Sequence, residues 1–151
     1  MSLDRIARAV GRAVATWPAP YLVTLTHRTG PGRWAECAPC ESAASLQTAW
    51  NRLRLILSRR YGRRAYIRVR EWTERGVAHY HLIVSGAVDA DWLSTAWYQA
   101  TRGESHVVDA RPIRRDRGTR YRIAEYVGKY LTTGIAGATA QSGKPVSICN
   151  I

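Results

Sequence analysis

Strand and helix patterns follow one another as β-α-β-β-α-β and end on a further helix, an order that predicts an α+β domain of the ferredoxin-like, split βαβ type. Two observations support one such domain. The chain has 151 residues, enough for one core and too few for two. Hydrophobic residues make up 46% of it, the share of a folded domain and not of a disordered tail. The expected antiparallel sheet carries helices on one face and leaves the other open for a site. The expected layout is a single domain over 1–151, with a helix at 1–17, a core over about 21–133 and a tail at 134–151.

"SLDRIARAVGRAVATW" places Leu3, Ile6, Ala7, Val10 and Val14 at helical spacing, and "PAP" stops the helix. "YLVTLTH", Tyr21 to His27, alternates and is β-branched, so it reads as a strand. "RTGPGRWAECAPCE" reads as a loop. From about Ser45 to Tyr61, the residues Leu46, Trp50, Leu53, Ile56 and Leu57 make a helical stripe. "AYIRVREW" and "GVAHYHLIVSG" are the next two strands. "DADWLSTAWYQAT" is a helix capped by Asp89 or Asp91, and "SHVVDARPI" is a fourth strand. "RRDRGTR" is a basic turn, and "YRIAEYVGKYLTT" is a last helix stopped by Gly134. The tail beyond it is rich in Gly, Ala and Ser and predicts no element.

Charge narrows the function. Lys and Arg number 23 against 11 Asp and Glu, for a net charge of +12, and this points to nucleic acid as partner. A membrane surface fits less well, because the basic residues are spread over strands and loops. The sequence has no transmembrane span and no signal peptide, so the expected location is the cytoplasm. Cys37, Cys40 and Cys149 cannot make a disulfide framework. "CAPC" has zinc spacing but no second cysteine pair. His27 with Cys149 would complete a site only by coincidence of fold, and inert cysteines are the favoured reading.

The two histidines of "GVAHYHLIV" define the candidate site. The turn between the second and third strands is "TERGV", and a three-residue loop Glu74-Arg75-Gly76 puts glycine at the left-handed position. That turn fixes the register, with Glu71 opposite His79 and Val69 opposite His81. Opposed residues share a face, so one carboxylate and two imidazoles converge. Sheet histidines can be idle, but two on one face opposite a glutamate make an open three-ligand site for a divalent cation.

The last helix supplies a second half. Tyr126 lies on a stripe with Arg122, Lys129 and Thr133, whereas Tyr130 shares the apolar stripe of Ile123 and Val127. Only Lys129 and Lys144 are lysines, so an ammonium one turn from Tyr126 suggests a specific task. A phenol of pKa roughly 10 is a weak nucleophile at neutral pH unless a cation favours the developing charge.

"HYH" is a histidine-hydrophobic-histidine motif, and "IAEYVGK" fits apolar-x-x-Tyr-apolar-x-Lys. "YLVTLTH" is similar to a first-strand motif found with them. In this order the three resemble the HUH endonucleases, specifically the rolling-circle replication initiators, over roughly Tyr21 to Thr133. The resemblance implies His79, His81 and Glu71 as ligands of Mg²⁺ or Mn²⁺, Tyr126 as nucleophile and Lys129 as its helper. It implies nicking and joining of single-stranded DNA, at an origin or hairpin, through a 5′-phosphotyrosine link. A host helicase and polymerase would be functional partners and the protein a monomer. Tyr130 leaves a two-tyrosine plan open. Arg68, Arg70, Arg114, Arg115, Arg117, Arg120 and Arg122 are candidates for tracking the DNA backbone, with Tyr80 or Trp72 to stack a base. Three other readings compete. A single-tyrosine HUH transposase usually carries a glutamine where Lys129 stands. A conjugative relaxase has a tyrosine near its N-terminus and a third clustered histidine. A non-catalytic sheet-based nucleic-acid binder would not need Glu71, His79 and His81 on one face.

Overall fold

The computed structural model describes residues 3–27, 39–72, 78–116 and 146–150. In chain order these form α1 (Leu3–Thr16), β1 (Tyr21–Thr26), α2 (Pro39–Tyr61), β2 (Ala65–Trp72) and β3 (Ala78–Val84), then α3 (Ala90–Ala100), β4 (Val108–Pro112) and β5 (Val146–Asn150). The strands make one sheet in the order β4-β1-β3-β2-β5, with every pair antiparallel. This is the expected α+β, ferredoxin-like arrangement with one strand added beyond β2. The helix expected over 121–133 lies outside the described residues.

Period-two alternation sorts the sheet into two faces. On one, Val23, Leu25, Tyr66, Tyr80, Leu82 and Val84 bury against Leu46, Trp50 and Leu53 of α2 and Leu93 and Trp97 of α3. Each large apolar side chain so buried contributes about 1.5–3 kcal/mol, which makes this layer the main source of stability. Pro39 opens α2 earlier than Ser45, because a proline lacks only an N–H that the first turn leaves unused. Gly62, at φ +73°, ends that helix and donates to the Ser58 carbonyl at 2.9 Å. Asp89 caps α3 by accepting from the Trp92 N–H at 2.8 Å.

The second face departs from expectation. Val10, Ala13 and Val14 of α1 pack on Ile67, Val69, Ile83 and Ile113, so part of the face expected to be open is roofed. The physical reason is that α2 and α3 already cover the first face, and the apolar stripe of α1 still needs a partner. The end of this helix is held by Arg115, whose guanidinium donates to the Trp17 carbonyl. The tail also departs from expectation, since Val146–Asn150 pairs with β2 as the fifth strand. Among the described residues no helix is long and apolar enough to cross a membrane.

Candidate metal centre

The β2–β3 pairing places Glu71 opposite His79 and Val69 opposite His81, the register that the turn chemistry predicts. On the other side of β3, Thr24 lies opposite His81 and Thr26 opposite His79. Side chains from three adjacent strands therefore stand together on the face that α1 only partly covers. The Glu71 Oε2 atom is 2.7 Å from His81 Nε2 and 3.7 Å from His79 Nε2. The two rings meet edge to face with centroids 5.5 Å apart. One ligand atom from each of Glu71, His79 and His81 lies within 4.8 Å of the others, so the group can hold a metal ion. Rigid strands fix all three, which suits a preorganised site.

Thr24 completes the support. Its Oγ1 is 3.1 Å from His81 Nδ1. In the structure His81 Nε2 donates to the Glu71 carboxylate and Nδ1 accepts from the Thr24 hydroxyl. A metal ion held at Nε2 would leave the ring proton on Nδ1, which would then donate to Thr24. A partner on the second ring nitrogen is what ligating histidines usually have. The alternation of "YLVTLTH" already puts Thr24 and Thr26 on this face, so the signal is present in the sequence. The end of β1 is fixed by two donors to the Thr26 carbonyl, Trp97 Nε1 at 2.9 Å and Ser105 Oγ at 2.6 Å.

The electrostatics favour the ligand form of both imidazoles. Burial pushes His81 down to about 4. His79 is lowered by burial first and by neighbouring His81 second, while Glu71 acts in the opposite sense. Both rings are therefore neutral at pH 7, as a metal requires. His79 Nδ1 is buried and has no hydrogen-bond partner among the described residues. A buried imidazole nitrogen of that kind calls for an explanation, and two imidazoles with one carboxylate are a donor set that suits a divalent cation.

Several expected binding residues sit elsewhere. Arg68 and Arg70 lie opposite Leu82 and Tyr80, on the helix-covered face and not beside the histidines. Arg68 is buried, with its guanidinium 4.3 Å from the Tyr80 ring centroid and 5.4 Å from that of Trp50, so it acts within the core. Tyr80 is buried too and donates to Gln47 Oε1 at 2.7 Å, so it presents no ring for a base. Arg114 is exposed, and Arg115 is engaged at Trp17. His27, weighed as a partner for the cysteines, is buried with its Nε2 3.2 Å from Glu104. Tyr126, Lys129, Tyr130, Arg117, Arg120, Arg122 and Cys37 lie outside the described residues.

The fold and the site together define a class: a ferredoxin-like sheet whose central hairpin carries a histidine-histidine-carboxylate group able to hold a metal ion. The family described as replication-associated protein ORF2 matches residues 20–135, and the chain belongs to that family. No curated protein matches the sequence. Among solved structures, the crystal structure of the hypothetical protein ORF119 from Sulfolobus islandicus rod-shaped virus 1 is similar, with a TM-score of 0.51. The likeness covers 83% of this chain and 91% of that one at 12% identity, and it shows the fold alone.

Proposed function

We propose that this replication-associated protein is an HUH endonuclease that nicks and rejoins single-stranded DNA to initiate rolling-circle replication of a plasmid or phage. The observation that carries the reading is the set Glu71, His79 and His81, held in register on β2 and β3 in a chain of this family. A Mg²⁺ or Mn²⁺ ion held by these three residues would supply Lewis-acid polarisation of the scissile phosphate. The remaining chemistry belongs to the chain. Thr24 orients His81, and Glu71 sets the electrostatics between the two rings. Tyr126, in "IAEYVGK", is assigned the nucleophile. Its phenolate oxygen forms a bond to phosphorus, the P–O3′ bond breaks, and the departing 3′-oxygen takes up a proton. The product is a 5′-phosphotyrosyl link and a free 3′-OH that a polymerase extends. Lys129 stabilises the charge that develops at the phenol and phosphate. The phosphodiester is exchanged, not hydrolysed, so the reverse reaction rejoins the strand.

The test is a nicking assay on single-stranded oligonucleotides. Parent protein with Mn²⁺ or Mg²⁺ should give a free 3′-OH product, and EDTA should abolish it. His79→Ala and His81→Ala should lose cleavage while retaining oligonucleotide binding, because affinity comes mainly from phosphate contacts. Cleavage that survives EDTA would remove the metal from the proposal.

A further inference from the structure

We infer that the outer face of α1 is the track for the backbone of single-stranded DNA, an assignment that rests on the nucleic-acid reading above and adds a surface to it. Arg5, Arg8 and Arg12 are all exposed. Drawn at about 100° per residue, they fall within roughly 60° of one another and point away from Val10, Ala13 and Val14. The helix "LDRIARAVGRAVAT" contains a single carboxylate, Asp4, so the stripe is a net positive ridge. Among the described residues none of the three arginines makes an ion pair.

Other arginines have structural tasks. Arg52 donates to the Ala100 carbonyl, Arg64 to that of Ala87 and Arg115 to that of Trp17. Arg111 pairs with Asp109, and Arg68 lies in the core on the opposite face. The stripe on α1 differs in position as well. Its helix packs on Ile67, Val69 and Ile83, and Val69 and Ile83 are the strand neighbours of Glu71 and His81 on the same face. A strand lying on the ridge therefore runs over the side of the sheet where the candidate metal centre stands.

Length and charge fit a single strand. Arg5 to Arg12 spans about 10 Å of helix. Successive phosphates of a strand lie about 3.4 Å apart or more, so the ridge matches up to about three of them, one for each arginine. An arginine-lined amphipathic helix can also bind an anionic membrane, but that needs a free apolar face. Here Val10, Ala13 and Val14 of that face are buried in the second core, so DNA is the occupant that fits.

The experiment is fluorescence anisotropy on the full chain with a labelled single-stranded oligonucleotide in EDTA, titrated with salt. The triple variant Arg5→Ala/Arg8→Ala/Arg12→Ala keeps helix propensity, since alanine is the best helix former. Circular dichroism and thermal melting establish that it folds, and Arg5→Gln/Arg8→Gln/Arg12→Gln serves if it does not. The expected result is at least tenfold weaker binding, with the slope of log K against log salt shallower by about two, at roughly 0.7 per phosphate contact. A folded variant with the parent's affinity and slope overturns this assignment and leaves the nicking proposal intact. A parent that binds no oligonucleotide overturns both. Loss of binding to anionic vesicles, with DNA affinity unchanged, also overturns it and makes the ridge a membrane surface.

Discussion

Replacing Thr24 by Val removes one hydroxyl and almost nothing else. Valine has the same shape and suits a central strand, so β1 and its pairing with β3 are retained. The hydrogen bond lost is the one between Thr24 Oγ1 and His81 Nδ1, 3.1 Å long. As a contribution to folding such a bond is worth about 0.5–1.5 kcal/mol, so the variant remains folded. Its effect on metal binding is larger. Losing a partner of this kind typically costs about 10–100-fold in affinity, or about 1.4–2.7 kcal/mol, because the ring loses its fixed tautomer and orientation. Calorimetric titration with Mn²⁺ at about pH 7.5 reads this directly, without DNA and without turnover, and there both rings are in the neutral form that a metal needs. Thr24→Val should weaken binding by at least tenfold, and Thr24→Ser, which keeps the hydroxyl, should restore most of it. His81→Ala should abolish binding. If Thr24→Val binds Mn²⁺ within twofold of the parent while His81→Ala does not bind, Thr24 has no supporting role.

Other consequences concern pH, the core arginine and the tyrosines. Because burial holds His81 at about 4 in the folded chain against about 6.5 unfolded, the unfolded state takes up more protons between those values. Stability from this residue is complete above about pH 6.5 and is lost as pH falls toward 4, by on the order of 2–3 kcal/mol. Urea unfolding of parent and His81→Asn at about pH 7 and about pH 4.5 should show a smaller drop for the variant; equal drops would contradict the burial argument. Arg68→Ala should lower the melting temperature through lost packing on Tyr80, and leave the salt slope of DNA binding unchanged. A shallower slope would put Arg68 back at the DNA. Tyr130→Phe should cost some rate or stability and keep the covalent adduct.

How much of this is legible in the sequence depends on the range of the signal. The β2–β3 register is a local signal: the turn chemistry read from "TERGV" predicts which residues oppose each other, and the pairing of the two strands places Glu71 opposite His79. The same alternation puts Arg68, Arg70 and Tyr80 on the other face, so their removal from the DNA side follows from the arithmetic that finds the site. The docking of α1 is different. An apolar stripe shows that a helix must bury one side, but not which face of a sheet accepts it. β5 is hidden for another reason. "VSICN" is five residues after a Gly, Ala and Ser-rich run, and a short edge strand is specified by the partner it meets more than by its own pattern. Thr24 is readable as a strand residue of the right face; its bond to His81 becomes visible only once β1 is placed beside β3.

The decisive measurement is mass spectrometry of the adduct trapped when the parent protein is incubated with a single-stranded oligonucleotide and Mn²⁺. After proteolysis, the mass of a 5′-phosphorylated fragment should map to the peptide containing Tyr126, and it should be missing from Tyr126→Phe and from His81→Ala. Oligonucleotide cleaved with no covalent adduct, or an adduct that forms equally well on the His81→Ala protein, would contradict a metal-dependent tyrosine transesterification. An adduct on Tyr130 alone would move the nucleophile.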